Sequence, residues 1–115
     1  MYSLLNKKDI IAFNQEIGEL GEFNNESSLD FALSIVKTKK NWLYELSYLA
    51  RSLLVDHVFQ DGNKRTCFLV MIYYLETNQK AIDKDKLIRT IKKIAKNNLT
   101  NPLKIGRLIY HATQE

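Results

Sequence analysis

An all-α fold is what this sequence predicts: a single compact bundle of about six helices around one buried central helix. Three observations carry it. Breakers are scarce, with 4 Gly and 1 Pro in 115 residues, which leaves long helices joined by short connections. Between the breakers, apolar residues recur at the helical period. Residues 67–75 are apolar throughout, and Lys64, Arg65, Glu76 and Gln79 around them are good helix formers. The run therefore reads as a helix buried on most sides, not as a buried strand.

The first helix starts after Asn6, which can cap it. Asp9 lies three residues on, near the positive end of the dipole. Ile10, Ile11, Phe13 and Ile17 follow at roughly helical spacing, and Gly18 and Gly21 then punctuate the chain. Residues 24–28 read as a polar loop with Ser28 as the next cap. A second helix covers 29–36, with Leu29, Ala32, Leu33 and Val36 on one stripe. The basic stretch 37–40 breaks the pattern. Asn41 caps a third helix with Leu46, Leu49, Ala50, Leu53 and Leu54 on its inner face. The fourth begins near Asn63 and runs to about Thr77. Asp83 caps a fifth over 84–96, with Leu87, Ile91, Ile94 and Ala95 inward and Lys84, Arg89, Lys92, Lys93 and Lys96 outward. Asn101 caps the last, and Pro102 takes the first helical position, where its missing N–H is no loss. Leu103, Leu108 and Ile109 dock it. No repeat, low-complexity tract or linker divides the chain, so residues 1–115 read as one domain.

A hydrophobic fraction of 45% and a charged fraction of 26% suit a folded soluble chain and argue against disorder. Cys67 is the one cysteine, so no intrachain disulfide forms, and its apolar neighbours make it a core thiol. The expected compartment is the cytoplasm. Residues 1–9 lack the apolar stretch of a signal peptide, and residues 67–75 are too short to cross a bilayer, so no membrane partner is expected. A net charge of +4 favours anionic partners: nucleotides, nucleic acid or an acidic protein.

The chemistry concentrates in residues 56–66, between the third and fourth helices. Gly62 permits a tight turn. Asn63 can cap the following helix, leaving the N–H groups of Asn63, Lys64 and Arg65 directed at the loop. A helix start of this kind binds phosphate through donors and dipole together. Arg65 adds a forked, permanently charged donor and Lys64 a point charge. Asp61 is a hard oxygen ligand beside them, and one carboxylate plus substrate phosphates is the usual way of holding Mg²⁺. His57 suits a general base for an attacking hydroxyl. Phe59, among the polar residues, anchors the loop in the core. Each of these residues alone is ordinary: a surface imidazole, a turn, a solvated helix start. Gathered within nine residues they form an arrangement suited to phosphoryl transfer, in which placement and charge stabilisation do most of the work.

The stretch His57-Val-Phe-Gln-Asp-Gly-Asn-Lys-Arg65 resembles the His-x-Phe-x-(Asp/Glu)-Gly-Asn-x-Arg motif of the Fic/Doc (Fido) family. Lys64 and Thr66 make it most similar to the short death-on-curing (Doc) branch, and a Leu-Asp-Phe-Ala-Leu33 segment upstream extends the likeness over most of the chain. The resemblance implies the Fic/Doc helical fold and transfer from a nucleoside triphosphate, ATP foremost, to a hydroxyl of a target protein. It implies His57 as base, Asp61 as Mg²⁺ ligand, Gly62, Asn63 and Lys64 as the anion cradle, and Arg65 on the phosphates. A flap that positions the target is expected near residues 36–41. Val58 stands where Pro is common, a position without chemistry. AMP-transferring members carry a second Arg where this chain has Phe68, so phosphoryl transfer is preferred and nucleotidyl transfer (AMPylation) is the alternative. The self-inhibitory Ser/Thr-x-x-x-Glu-(Gly/Asn) stretch of many members does not occur here. By analogy the chain is a toxin restrained by a separate antitoxin protein.

A non-catalytic binding module is the competing class. The basic face of 84–96, with Lys104 and Arg107, could hold nucleic acid, but it lacks interleaved aromatics and nucleic acid is not the expected partner. A degenerate member that only binds proteins is disfavoured by retention of every polar motif position. Trp42, Tyr44, Tyr48, Tyr73 and Tyr74 read as core or interface, His111 as a surface residue, Asp30 as a helix-end charge and Asp56 as a loop neighbour.

Overall fold

Short polar side chains place the helix starts. The computed structural model describes residues 5–114, so the first four of residues 1–9 lie outside the described residues. Six α-helices follow in order: α1 (Lys7–Glu16), α2 (Glu26–Val36), α3 (Trp42–Leu54), α4 (Asn63–Thr77), α5 (Lys84–Lys96) and α6 (Pro102–Ala112). Asn6, Asn41, Asp83 and Asn101 cap α1, α3, α5 and α6 as expected, each accepting a hydrogen bond from a first-turn amide. At α1 the box is reciprocal, because Asp9 Oδ2 also accepts from the Asn6 amide at 3.0 Å.

Two boundaries differ from the sequence reading. The second helix starts three residues early, at Glu26, because Asn25 Oδ1 accepts from the Ser28 amide at 3.3 Å and caps it. Ser28 is occupied elsewhere: its hydroxyl donates to Asp56 Oδ2 at 2.6 Å and lies 2.9 Å from Ser52 Oγ. The first helix ends at Glu16, so Ile17 is its C-cap and not part of the stripe. The inward face of α1 is Ile10 and Asn14.

The centre is a pair. The helix α3 packs on α2, α4, α5 and α6, and α4 packs on α1, α3 and α5. Leu46, Leu49 and Leu53 of α3 and Val70, Met71 and Leu75 of α4 are fully buried. Tyr74 is also fully buried, and its hydroxyl donates to Glu45 Oε1 at 3.0 Å. Cys67 is a core residue as expected, and burial pushes its thiol pKa up, away from reactivity. One side of α4 stays half-open, at Phe68, Leu69, Ile72 and Tyr73. The smaller helices are tied on by polar contacts. Lys7 on α1 pairs with Glu26 at 2.6 Å and Asp30 at 2.7 Å on α2, so Asp30 ties two helices together.

The last helix docks differently from expectation. Leu103 is 69% exposed, while Ile105, Gly106, Ile109 and Ala112 form the buried stripe. Residue 103 lies two positions, roughly 200° of turn, from 105, and so faces solvent. No helix among the described residues is long and apolar enough to cross a membrane.

Gly106 makes a close approach possible. A Cβ there would sit 2.8 Å from Ser47 Oγ, which is itself held by donation to the Leu43 carbonyl at 2.7 Å. Gly106→Ala is therefore expected to lower stability by about 1 kcal/mol in urea denaturation, overpacking outweighing the gain in helix propensity. With Ser47→Ala the obstruction is removed, because the remaining Ser47 Cβ is 3.9 Å away. In that background the same change should become neutral or stabilising by up to about 1 kcal/mol. A glycine effect of the same sign in both backgrounds would refute this account of the α3–α6 contact.

Candidate active site

The loop from α3 to α4 is pinned on its inner side by backbone pairing and by two asparagine side chains. Residues 22–25, between α1 and α2, run antiparallel to it. The amides of Asn24 and Asn25 donate to the Val58 carbonyl at 2.7 and 3.0 Å, and the Gln60 amide donates to the Glu22 carbonyl at 3.1 Å. Phe59, 1% exposed, stacks on Phe23 with ring centroids 5.4 Å apart. This is the anchoring role the sequence suggested.

Asn63 departs from its expected role. It is the first residue of α4, not its cap; the N-cap is Gly62, and no side chain caps the helix. The Asn63 side chain instead reaches back to Phe59, accepting from its amide at 2.9 Å and donating to its carbonyl at 2.8 Å. The second asparagine is Asn14, 1% exposed on α1. Its Nδ2 donates to the Asp61 carbonyl at 3.0 Å and to Thr66 Oγ1 at 3.1 Å, and its Oδ1 accepts from the Gly21 amide at 2.9 Å. Sequence reading passed over Asn14 because a polar residue does not register in an apolar period. It is the residue that joins α1 to both ends of the turn.

Gly62 is needed for its backbone conformation. Its φ of 78° lies in the left-handed region, and a Cβ there would meet Glu19 Cγ at 2.7 Å and Ile17 Cδ1 at 2.8 Å. The helix α4 then begins without a cap, and its first intrahelical bond is from the Thr66 amide to the Gly62 carbonyl at 2.9 Å. Among the described residues no protein acceptor takes the amides of Asn63, Lys64 or Arg65. At the other five helix starts an Asn or Asp side chain accepts from one first-turn amide, and here none does.

The open start faces a cleft of about 470 Å³ lined by His57, Asp61, Gly62, Asn63, Lys64 and Arg65 together with Glu19, Leu54 and Gln60. The structure therefore brings all six sequence-derived site residues to one cleft. His57 is exposed, with a φ of 55°. That conformation is uncommon for a residue other than glycine and costs on the order of 1–3 kcal/mol. It is held by Asn24 Nδ2, which donates to the His57 carbonyl at 3.0 Å, and by the bonds to Val58 next to it. The Asp61 carboxylate is exposed and enters no hydrogen bond or ion pair among the described residues, while its backbone carbonyl is held by Asn14. A free carboxylate next to unpaired phosphate donors fits a Mg²⁺ ion that takes its other ligands from phosphates and water.

Two further parts of the cleft were not foreseen. Lys92 and Lys96 of α5 are exposed, as expected, but they line a neighbouring cleft of about 510 Å³ with His57 and Lys64. The face that read as solvated is thereby partly drawn into the site; its four-residue spacing was visible, its neighbour was not. Glu19 lines the first cleft with the motif residues. The expected flap at 36–41 is elsewhere: Asn41 precedes α3 and His57 follows it, with about 20 Å of helix between them. The segment lying on the motif loop is 22–25, which pairs with it through the bonds to Val58 and Gln60.

The family model described as Fic/DOC family matches residues 4–75, from before α1 to near the end of α4. No curated protein and no solved structure matches the chain.

The pinning has a measurable consequence. Asn14→Ala removes three hydrogen bonds at a buried position, and a loss of about 3 kcal/mol is expected in urea denaturation. Asp61→Asn alters an exposed carboxylate with no partner and should stay within about 0.5 kcal/mol of the parent. Equal effects of the two changes would contradict the division between supporting and reactive groups.

Proposed function

The chain belongs to the Fic/DOC family, and on that premise we propose that it transfers the terminal phosphoryl group of a nucleoside triphosphate, with ATP the expected donor, to a hydroxyl side chain of a target protein. Members of this family are typically enzymes that move nucleotide-derived groups onto proteins. The observation that carries the reading is the uncapped start of α4, with three unpartnered amides in the same cleft as His57.

The transferred phosphorus lies on the amides of residues 63–65, where the helix dipole and the N–H groups favour negative charge. The acceptor hydroxyl approaches from solvent on the side of His57. As its oxygen bonds to the γ-phosphorus, neutral His57 takes the hydroxyl proton. The bond from the γ-phosphorus to the β–γ bridging oxygen breaks, and the nucleoside diphosphate leaves with the electron pair. Charge on the non-bridging oxygens is met by the amides, held in place by the helix, and by the Arg65 guanidinium, which lines the same cleft. Asp61 would hold Mg²⁺, which when bound neutralises charge on the phosphates. The imidazolium of His57 then returns its proton to solvent.

Phosphoryl transfer is favoured over nucleotidyl transfer by Phe68, an apolar side chain where AMP-transferring relatives place a second arginine. We further propose that the chain acts as the toxin of a toxin–antitoxin pair, restrained by a separate protein.

Incubation with ATP labelled at either the γ or the α phosphate, plus a cell lysate, separates the reactions. The γ label is expected on protein, with His57→Ala slower by about 10²–10⁴-fold. Transfer of the α label would replace this reading with AMPylation, and equal labelling by His57→Ala would end the enzymatic claim. Expression of the chain alone should arrest growth and the His57→Ala variant should not; normal growth with the active, unpartnered chain counts against the toxin role.

A further inference from the structure

A groove of about 610 Å³ lies away from His57, between the first two turns of α3 and the outer face of α6. Leu43, Tyr44 and Tyr48 line it from α3, and Leu103, Arg107 and Tyr110 from α6. Two stripes run along α6. Ile105, Gly106, Ile109 and Ala112 go to the core, while Leu103 and Tyr110, at i and i+7 on another face, remain 69% and 48% exposed. Phe31 of α2, also exposed, continues the patch through its edge contact with Tyr48, ring centroids 5.9 Å apart. A continuous exposed patch of Leu, Phe and Tyr marks an interaction surface.

The full charges at this patch have one sign. Arg107 and His111 line the groove, and among the described residues no Asp or Glu does. The Arg51 guanidinium lies over the Tyr48 ring at 5.2 Å and the Phe31 ring at 5.7 Å. Neither arginine enters an ion pair among the described residues. Several polar atoms of the groove are already engaged. Asn41 Oδ1 accepts from the Tyr44 amide at 2.8 Å, Asn101 Oδ1 accepts from the Leu103 amide at 2.9 Å, and the Ser47 hydroxyl donates to the Leu43 carbonyl at 2.7 Å. An extended peptide would therefore lay its own N–H and C=O groups against apolar walls, whereas a helix arrives with its backbone paired. A second copy of this chain fits poorly, because across a two-fold axis the cations of one copy meet those of the other.

We infer that this groove docks an amphipathic helix of a partner protein, its apolar stripe on Leu103, Tyr110 and Tyr48 and its flanking carboxylates on Arg51 and Arg107. The groove follows the start of α3 and His57 follows its end, so a partner seated here leaves the active-site cleft open.

Selection on the intact chain from a displayed library of helical peptides of about 18 residues, randomised on all faces, tests the partner chemistry. Enriched peptides are expected to carry Leu, Ile or Phe at i, i+3 or i+4, and i+7, flanked by Asp and Glu. In amide NMR titrations they should shift residues 43–48 and 103–111 and leave 57–65 in place. Leu103→Glu and Arg107→Glu, both at exposed positions, should each weaken them by about ten-fold with no change in thermal midpoint. Arg107→Glu should regain binding when the facing Glu of the peptide becomes Lys. Winners with basic flanks, shifts centred on residues 57–65 or 84–96, or no enrichment over the Leu103→Glu chain overturn the inference. So does a concentration-dependent dimer in sedimentation equilibrium that Leu103→Glu dissolves, which would assign the groove to a second copy.

Discussion

The site depends on where the backbone hydrogen bonds of one turn are directed. A turn between two buried helices must satisfy its inward-facing polar groups, because leaving them unpaired in the interior costs about 1–3 kcal/mol each. Here Asn63 closes on both polar groups of Phe59, and Asn14 takes the Asp61 carbonyl and the Gly21 amide. With the inner side satisfied by side chains, the turn needs nothing from its outer side. The amides of residues 63–65 can then remain open to the cleft without weakening the fold. A capping side chain in place of Gly62 would have taken one of these amides, as Asn or Asp does at the other five helix starts.

Support for this turn comes from two directions. Residues 22–25 pair with it from above, and the Phe23–Phe59 stack carries that pairing down into the core. From α2, Ser28 holds Asp56, the residue just before His57, in a cluster with Ser52 of α3. The left-handed conformation of His57 is thus bracketed by bonds to Asp56, to its own carbonyl and to Val58. Strain at one residue persists only when its neighbours over-determine it, and here Asp56 is fixed by Ser28 of α2 and Val58 by the segment 22–25. The segment 22–25 is accordingly part of the support for the turn, so its geometry and that of His57 are coupled.

Much of this could be read from the sequence. Asn6, Asn41, Asp83 and Asn101 announce helix starts through a local rule that needs no tertiary knowledge, and the motif residues 57–65 are close enough in the chain to be read together. What escaped was tertiary. Asn25 displaced Ser28 as a cap because Ser28 was claimed by Asp56, 28 residues away. Asn14 was invisible because its partners at 61 and 66 lie on another helix and loop. Lys92 and Lys96 showed their spacing but not what faced them. The flap was expected near residues 36–41 from the family resemblance, yet a connection between α2 and α3 emerges at the wrong end of α3 to reach His57.

The layout of charge and apolarity around His57 also bears on the acceptor. Glu19 and Asp61 line the cleft at the start of α4 together with Lys64 and Arg65, and Lys64, Lys92 and Lys96 line the neighbouring one. His57 lines both clefts and is exposed, so a hydroxyl can reach it without any element moving aside. A closed cavity would exclude water better and strengthen each electrostatic contact, but a protein side chain on its own backbone could not enter one. An open site therefore trades some protection from hydrolysis for access by a large acceptor. Electrostatic stabilisation then rests on groups already fixed in place, the amides of residues 63–65 held by α4 and the loop held by Asn14 and Asn63, because solvent is not kept out of the space they face.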